Sequence, residues 1–248
     1  MTHLTPEDKS FFKTNGYLVK HNLISEQQLA NALDVVWAHM NCDRANPQSW
    51  INAGPGFPPI GKDPAIRATL YETPVFDMVE ELVGKNTLTN STNPGPHFRF
   101  PTGETDWELP KHGHLDGYYT PTNGVPEGTV GRFHVGVTFY LNNVVHKGGG
   151  FTVWPGTHIQ AAEYFKTHAL LCFKGGDANQ TFTMPQAVEI TGPPGTACFW
   201  HGQLMHTGCK NSATEIRMAF ITRFSRKDIK DHLFEFPDNI WTYYEGIQ

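Results

Sequence analysis

Charge is scarce in this 248-residue chain, at 17% of residues, and its balance is acidic, with a net charge of -5. The basic surplus that marks most nucleic-acid binders is missing. Long apolar runs are missing too, so no segment is expected to cross a bilayer. The opening residues Met1-Thr2-His3-Leu4-Thr5-Pro6-Glu7-Asp8 offer neither a basic n-region nor an apolar h-region, and no secretory leader is expected. Cysteine is sparse. Cys42, Cys172, Cys198 and Cys209 are spaced irregularly, matching neither a zinc site nor a disulfide framework. They read as reduced thiols in a cytoplasmic protein whose partners are small molecules, with no nucleic acid and no membrane. Internal repeats and low-complexity tracts are absent as well.

What is abundant is turn chemistry. With 24 glycines and 18 prolines, the chain is not expected to be dominated by helix. Its length and 39% hydrophobic content suit one domain, 1–248, with a substantial core. The first part, to about residue 85, reads as helical. Thr5-Pro6 starts one helix and the capping box at Ser25 to Gln28 a second; Asp63-Pro64 and Thr73-Pro74 start two more. From about 86 to 225, β-branched and aromatic segments alternate with Gly/Pro turns: 87–91, 96–100, 133–141, 150–154, 187–190, 196–200 and 216–224. That spacing predicts a β-sandwich or jelly roll, mainly β in class, with the helical layer packed on one sheet and a tail over 226–248. Residues 117–131 and 172–184 are long loops inside the β region, the first a candidate lid hinged at Gly117, Gly124 and Gly128.

The stretch Lys111-His112-Gly113-His114-Leu115-Asp116 carries the first chemical signal. In an extended chain, alternate residues share a face, so His114 and Asp116 can address one ion while Leu115 points to the core. His112 shares that face, which leaves two registers open. An imidazole and a carboxylate joined by a second imidazole form a facial triad that leaves iron(II) three open positions. Two suit a bidentate 2-oxo acid and one suits dioxygen. An H-x-D pair alone is a weak signal in a chain with 13 histidines. Downstream, His206 ends one strand and Arg217 enters the next, Ile216-Arg217-Met218-Ala219-Phe220-Ile221, where a hairpin-like return would place it near the metal. A guanidinium inside an apolar strand demands a carboxylate partner. An internal ion pair with Glu215 or Asp177 is one account. The stronger account is a bidentate fork on the distal carboxylate of 2-oxoglutarate, a geometry for which arginine is better suited than lysine.

Three ordered motifs resemble the phytanoyl-CoA dioxygenase family of Fe(II)/2-oxoglutarate-dependent oxygenases: Gly113-His114-Leu115-Asp116, then Gly148-Gly149-Gly150-Phe151-Thr152-Val153-Trp154-Pro155-Gly156-Thr157-His158, then the block from His206 to Arg217. The opening helix followed by Asn15-Gly16-Tyr17-Leu18-Val19 resembles the family's N-terminus. This resemblance implies a double-stranded β-helix (a cupin-like jelly roll) with the metal at one open end. It implies His114, Asp116 and His206 as ligands and Arg217 as the anchor of 2-oxoglutarate. It further implies Fe(II), 2-oxoglutarate and O2 as the reacting set, and succinate and CO2 as co-products. Related halogenases lack the ligand carboxylate, so Asp116 favours a hydroxylase or a related oxidase. One departure stands out. Where the family often has Ser or Thr two residues after the second histidine, this chain has Gly208; the assisting hydroxyl would come from Thr207 or Thr138, or be absent.

For the substrate, the candidate contacts are Arg99, Arg132, Tyr118, Trp154 and His112. The two arginines suit a small anionic metabolite, with surface charge or contact with 2-oxoglutarate itself as the other accounts, while Trp154 reads better as a packing residue. An acyl-CoA is disfavoured because no Lys/Arg cluster provides a basic patch. Two other classes use the same residues. A cupin-like metal-dependent hydrolase or isomerase would keep the three ligands without needing Arg217. A non-catalytic metal-binding module of the same fold would usually lose one of them.

Overall fold

The computed structural model describes residues 2–89, 92–117, 125–127, 130–168 and 181–247. Helix α1 (Pro6–Asn15) starts where the Thr5 hydroxyl accepts from the Asp8 amide and the Asp8 carboxylate accepts from the Thr5 amide. It ends at Gly16, whose φ of 77° lies in the left-handed region and whose missing Cβ would strike His158. Strand β1 (Tyr17–Lys20) follows at once. Ser25 and Gln28 form the same reciprocal cap on α2 (Glu26–Ala38). Asp63 and Thr73 cap α3 (Pro64–Tyr71) and α4 (Pro74–Val83), each with proline in the first turn, where its missing N–H costs nothing. All four helices begin where the sequence predicts. Then come β2 (Gly95–Arg99), β3 (Val135–Tyr140), β4 (Phe151–Val153), α5 (Thr157–Phe165), β5 (Val188–Ile190), β6 (Ala197–His201), β7 (His206–Gly208), β8 (Arg217–Phe224) and the short α6 (Ile229–His232).

The strands form two antiparallel sheets, one ordered β1-β6-β3-β8-β2 and the other β5-β4-β7. This is the mainly β jelly roll with an N-terminal helical layer. Side-chain alternation along β8 explains how the layers meet. Met218, Phe220 and Phe224 join Val137, Phe139 and Phe199 in one cluster with the helix residues Phe12, Leu70, Val79 and Leu82. Phe139 and Phe220 stack at 5.7 Å. Each phenylalanine so buried contributes about 1.5–3 kcal/mol. The opposite face of β8 turns toward the smaller sheet, where Tyr140, Phe151, Val153, Trp200, Leu204 and Ala219 fill the interior. A third cluster, with Leu115, Trp154, Phe165 and Met205, lies beneath the H-x-D segment.

Several elements differ from expectation. Residues 87–89 form no strand, and Leu88 makes only a single bridge to Arg226. Tyr17–Lys20 becomes a strand because β6 offers it an edge, a partner far away in sequence. Helix α5 follows the Pro155-Gly156 turn and buries His158, Ala161, Ala162 and Phe165 at helical spacing. The return from His206 to Arg217 is not a hairpin: β7 and β8 belong to different sheets, and the chain crosses from one to the other. The loops 117–131 and 172–184 lie largely outside the described residues. Among the described residues Cys42, Cys198 and Cys209 are free thiols, and no helix is long and apolar enough to cross a membrane.

Candidate metal centre

His114 and His206 come together through the backbone. The His114 amide donates to the His206 carbonyl at 3.0 Å, and the His206 amide donates back to the His114 carbonyl at 3.1 Å. Directly opposed residues of an antiparallel pair present their side chains on the same face. Their rings sit 4.5 Å apart. Leu115 turns the other way and is buried, which sends Asp116 back to the side of His114. The Asp116 carboxylate lies 3.6 Å from His114 Nε2 through one oxygen and 3.4 Å from His206 Nε2 through the other. One donor atom from each of the three residues falls within 4.8 Å of the others. His112, the rival in register, is exposed.

The electrostatics suit a cation. His206 Nδ1–H donates to the Leu204 carbonyl at 2.9 Å, which leaves the Nε2 lone pair directed at the cluster. Burial holds the His206 imidazole below its ordinary pKa, against the pull of Asp116, so the ring is neutral. Burial raises the Asp116 carboxyl, but His206, His114 and Arg223 outweigh it and hold the pKa well below the usual carboxylate range. Arg223 donates from Nε at 2.7 Å and lies 2.6 Å away through Nη2, both to the same Asp116 oxygen. The other oxygen is left for the cluster. Two imidazoles and one ionised carboxylate are a donor set that fits iron(II).

Arg217 opens β8 and is only 3% exposed. Its Nη2 donates to the His97 carbonyl at 2.8 Å, while its Nε has no partner. No described carboxylate forms an ion pair with it. Glu215 is exposed, and Asp177 lies outside the described residues. Burial pulls the guanidinium down to about 10, with Tyr140 opposing and Arg99 reinforcing, so it stays charged at neutral pH. Arg99 stands opposite Arg217 in the β2–β8 register. Thr138 is buried, and its hydroxyl accepts from Trp200 Nε1 at 3.2 Å. Thr207 pairs with Thr152, whose hydroxyl meets Cys209 Sγ at 2.7 Å; this parity is opposite to that of His206 and Gly208. Arg132 donates to the Glu235 carbonyl at 2.6 Å and lies over the Tyr243 ring. Trp154 is buried against Gly113, which has no room for a Cβ. Tyr118 lies outside the described residues.

Sequence reasoning passed over two residues. Arg223 is six residues beyond Arg217 on the same strand, hence on the same face, and period-two counting was enough to find it. His97, two before Arg99, lies among these cations. Burial and the charges of Arg223, Arg217 and Arg99 push its pKa down to about 4, against Asp116, so it is neutral.

A jelly roll that carries a His-x-Asp and distant-His cluster, in a chain matched by the family model, defines an iron- and 2-oxoglutarate-dependent dioxygenase. The chain belongs to the phytanoyl-CoA dioxygenase (PhyH) family, whose sequence model matches residues 12–219. Solved structures of similar fold include the non-haem alpha-ketoglutarate-dependent carbocyclase SnoK from nogalamycin biosynthesis, with 18% identity, TM-score 0.60, and coverage of 89% of this chain and 84% of that one. EctD from S. alaskensis, solved with 2-oxoglutarate and 5-hydroxyectoine, is 17% identical with TM-score 0.56, covering 90% and 76%. HygX from Streptomyces hygroscopicus, with nickel, 2-oxoglutarate and hygromycin B bound, is 15% identical with TM-score 0.55, covering 90% and 88%. No curated protein sequence matches the chain.

Proposed function

We propose that residues 1–248 act as one catalytic domain, a cytoplasmic hydroxylase that oxidises a C–H bond of a small anionic metabolite and releases succinate and CO2. The observation that carries this reading is the convergence of His114, Asp116 and His206 on one another, together with Arg217, a buried cation that forms no ion pair with any described carboxylate. That HygX is solved with the small molecule hygromycin B bound lends support to a small-molecule substrate.

In this reading His114, Asp116 and His206 hold Fe(II), and Arg217 holds the distal carboxylate of 2-oxoglutarate. When bound, the metal with its co-substrate supplies the dioxygen activation that amino-acid side chains cannot. The remaining tasks belong to the chain. Leu204 fixes the His206 tautomer, and Arg223 pins one Asp116 oxygen so that the carboxylate binds through the other. Trp200 and Phe151 flank the His206 ring at 4.2 and 5.3 Å and keep water from that side of the centre. Arg223, with its side chain 41% exposed beside Asp116, gives the mouth a positive edge suited to an anion. His112 and Tyr118 are further candidates for substrate contact, whereas Arg132 and Trp154 serve packing.

The test is a panel of small carboxylates and other anionic metabolites, scored by substrate-stimulated succinate release with Fe(II) and O2. At least one member should stimulate release, and Asp116→Ala should abolish it. Metal-dependent turnover that persists in Arg217→Ala without 2-oxoglutarate would favour the hydrolase or isomerase reading.

A further inference from the structure

The glycine that replaces the family's usual hydroxyl is not left empty-handed. A Cβ on Gly208 would come within 3.1 Å of Arg99 Nε and 3.2 Å of Nη2. A Cβ on Gly149 would come within 3.0 Å of the Arg99 Cβ. Two glycines from the smaller-sheet side thus make room for one arginine from the edge strand of the larger sheet. Gly208 has no left-handed φ, so its need for glycine is one of space, and the atoms it spares belong to the Arg99 guanidinium. Arg99 lies directly across β2–β8 from Arg217, which puts both side chains on one face. Like charges so opposed repel each other unless an anion lies between them. Among the described residues, neither guanidinium has a carboxylate partner, and that of Arg99 makes no hydrogen bond. A cavity of about 290 Å³, lined in part by Phe98, Gly208, Cys209 and Asn211, opens beside Arg99.

We infer that Arg99 is a second holder of the distal carboxylate of 2-oxoglutarate, working with Arg217 and occupying the space that Gly208 vacates. This rests on the 2-oxoglutarate reading above. It moves Arg99 from the substrate to the co-substrate and answers the missing hydroxyl: a guanidinium stands in its place. A two-arginine clamp selects strongly for a 2-oxo acid with a second carboxylate at the far end, because every other part of the ligand is shared with simpler 2-oxo acids.

The experiment is calorimetric titration of the Ni(II)-loaded protein, in which no turnover competes, with 2-oxoglutarate and with 2-oxobutyrate, which lacks the distal carboxylate. Arg99→Ala should weaken 2-oxoglutarate about tenfold or more, as expected for loss of a charge-assisted hydrogen bond, and leave 2-oxobutyrate unchanged. Arg99→Lys should fall in between. Gly208→Ser should weaken 2-oxoglutarate when Arg99 is present, by pushing the guanidinium aside, yet cost nothing further in the Arg99→Ala background. Wild-type binding by Arg99→Ala, equal losses for both acids, or additive losses with Gly208→Ser would each overturn the inference. Should Arg217→Ala keep wild-type 2-oxoglutarate binding, the underlying reading falls instead.

Discussion

The two faces of strand β8 make opposite use of burial. On one, Met218, Phe220 and Phe224 disappear into an apolar cluster under the helices, and nothing there has a charge to satisfy. On the other, Arg217 and Arg223 bracket Ala219 and Ile221, which pack against residues of the smaller sheet. Arg223 is answered by Asp116, whereas the hydrogen-bond partner of Arg217 among the described residues is the His97 carbonyl, with no ion pair. Apolar burial stabilises the fold by itself, but an uncompensated buried cation costs free energy that a bound anion can return. The contrast separates residues that hold the fold from residues that wait for a ligand.

The largest expected effect lies on the apolar face. Phe220→Ala should destabilise the protein by about 3–5 kcal/mol, the usual cost of deleting a buried phenylalanine, as measured by urea unfolding. A loss near zero would mean that the stacked Phe139–Phe220 pair is not part of the core that carries the sheet. On the charged face the sign should reverse. Without 2-oxoglutarate, Arg217→Met should raise stability by about 1–3 kcal/mol, since a buried charge gives way to an apolar side chain of similar length. Added 2-oxoglutarate should stabilise the wild type and leave this variant unmoved. If Arg217→Met instead lowers stability, the guanidinium has a structural partner in the fold, and Asp177 is the first to examine.

How much of this was legible beforehand follows from the range of each signal. Helix starts at Thr5, Ser25, Asp63 and Thr73 were readable because a cap is a contact over three residues. The pairing of His114 with Asp116 was readable from the two-residue period of an extended chain. Their meeting with His206 rests on a reciprocal backbone bridge between distant segments, and only the family resemblance suggested it. Helix α5 was hidden behind a Pro-Gly turn that masked the spacing of Ala161, Ala162 and Phe165. Arg223 was within reach, since its parity matches that of Arg217. The neighbour of Gly208 was not, because Arg99 arrives from the other sheet and no local pattern encodes that approach.

The central claim is that His114, Asp116 and His206 bind Fe(II) with 2-oxoglutarate chelated beside Arg217. Anaerobic titration of the protein with Fe(II) and 2-oxoglutarate, followed by visible absorption, tests it most directly. The account predicts a weak metal-to-ligand band that requires both additions and vanishes in His206→Ala. A band that survives intact in His206→Ala, or none in the wild type, would contradict it.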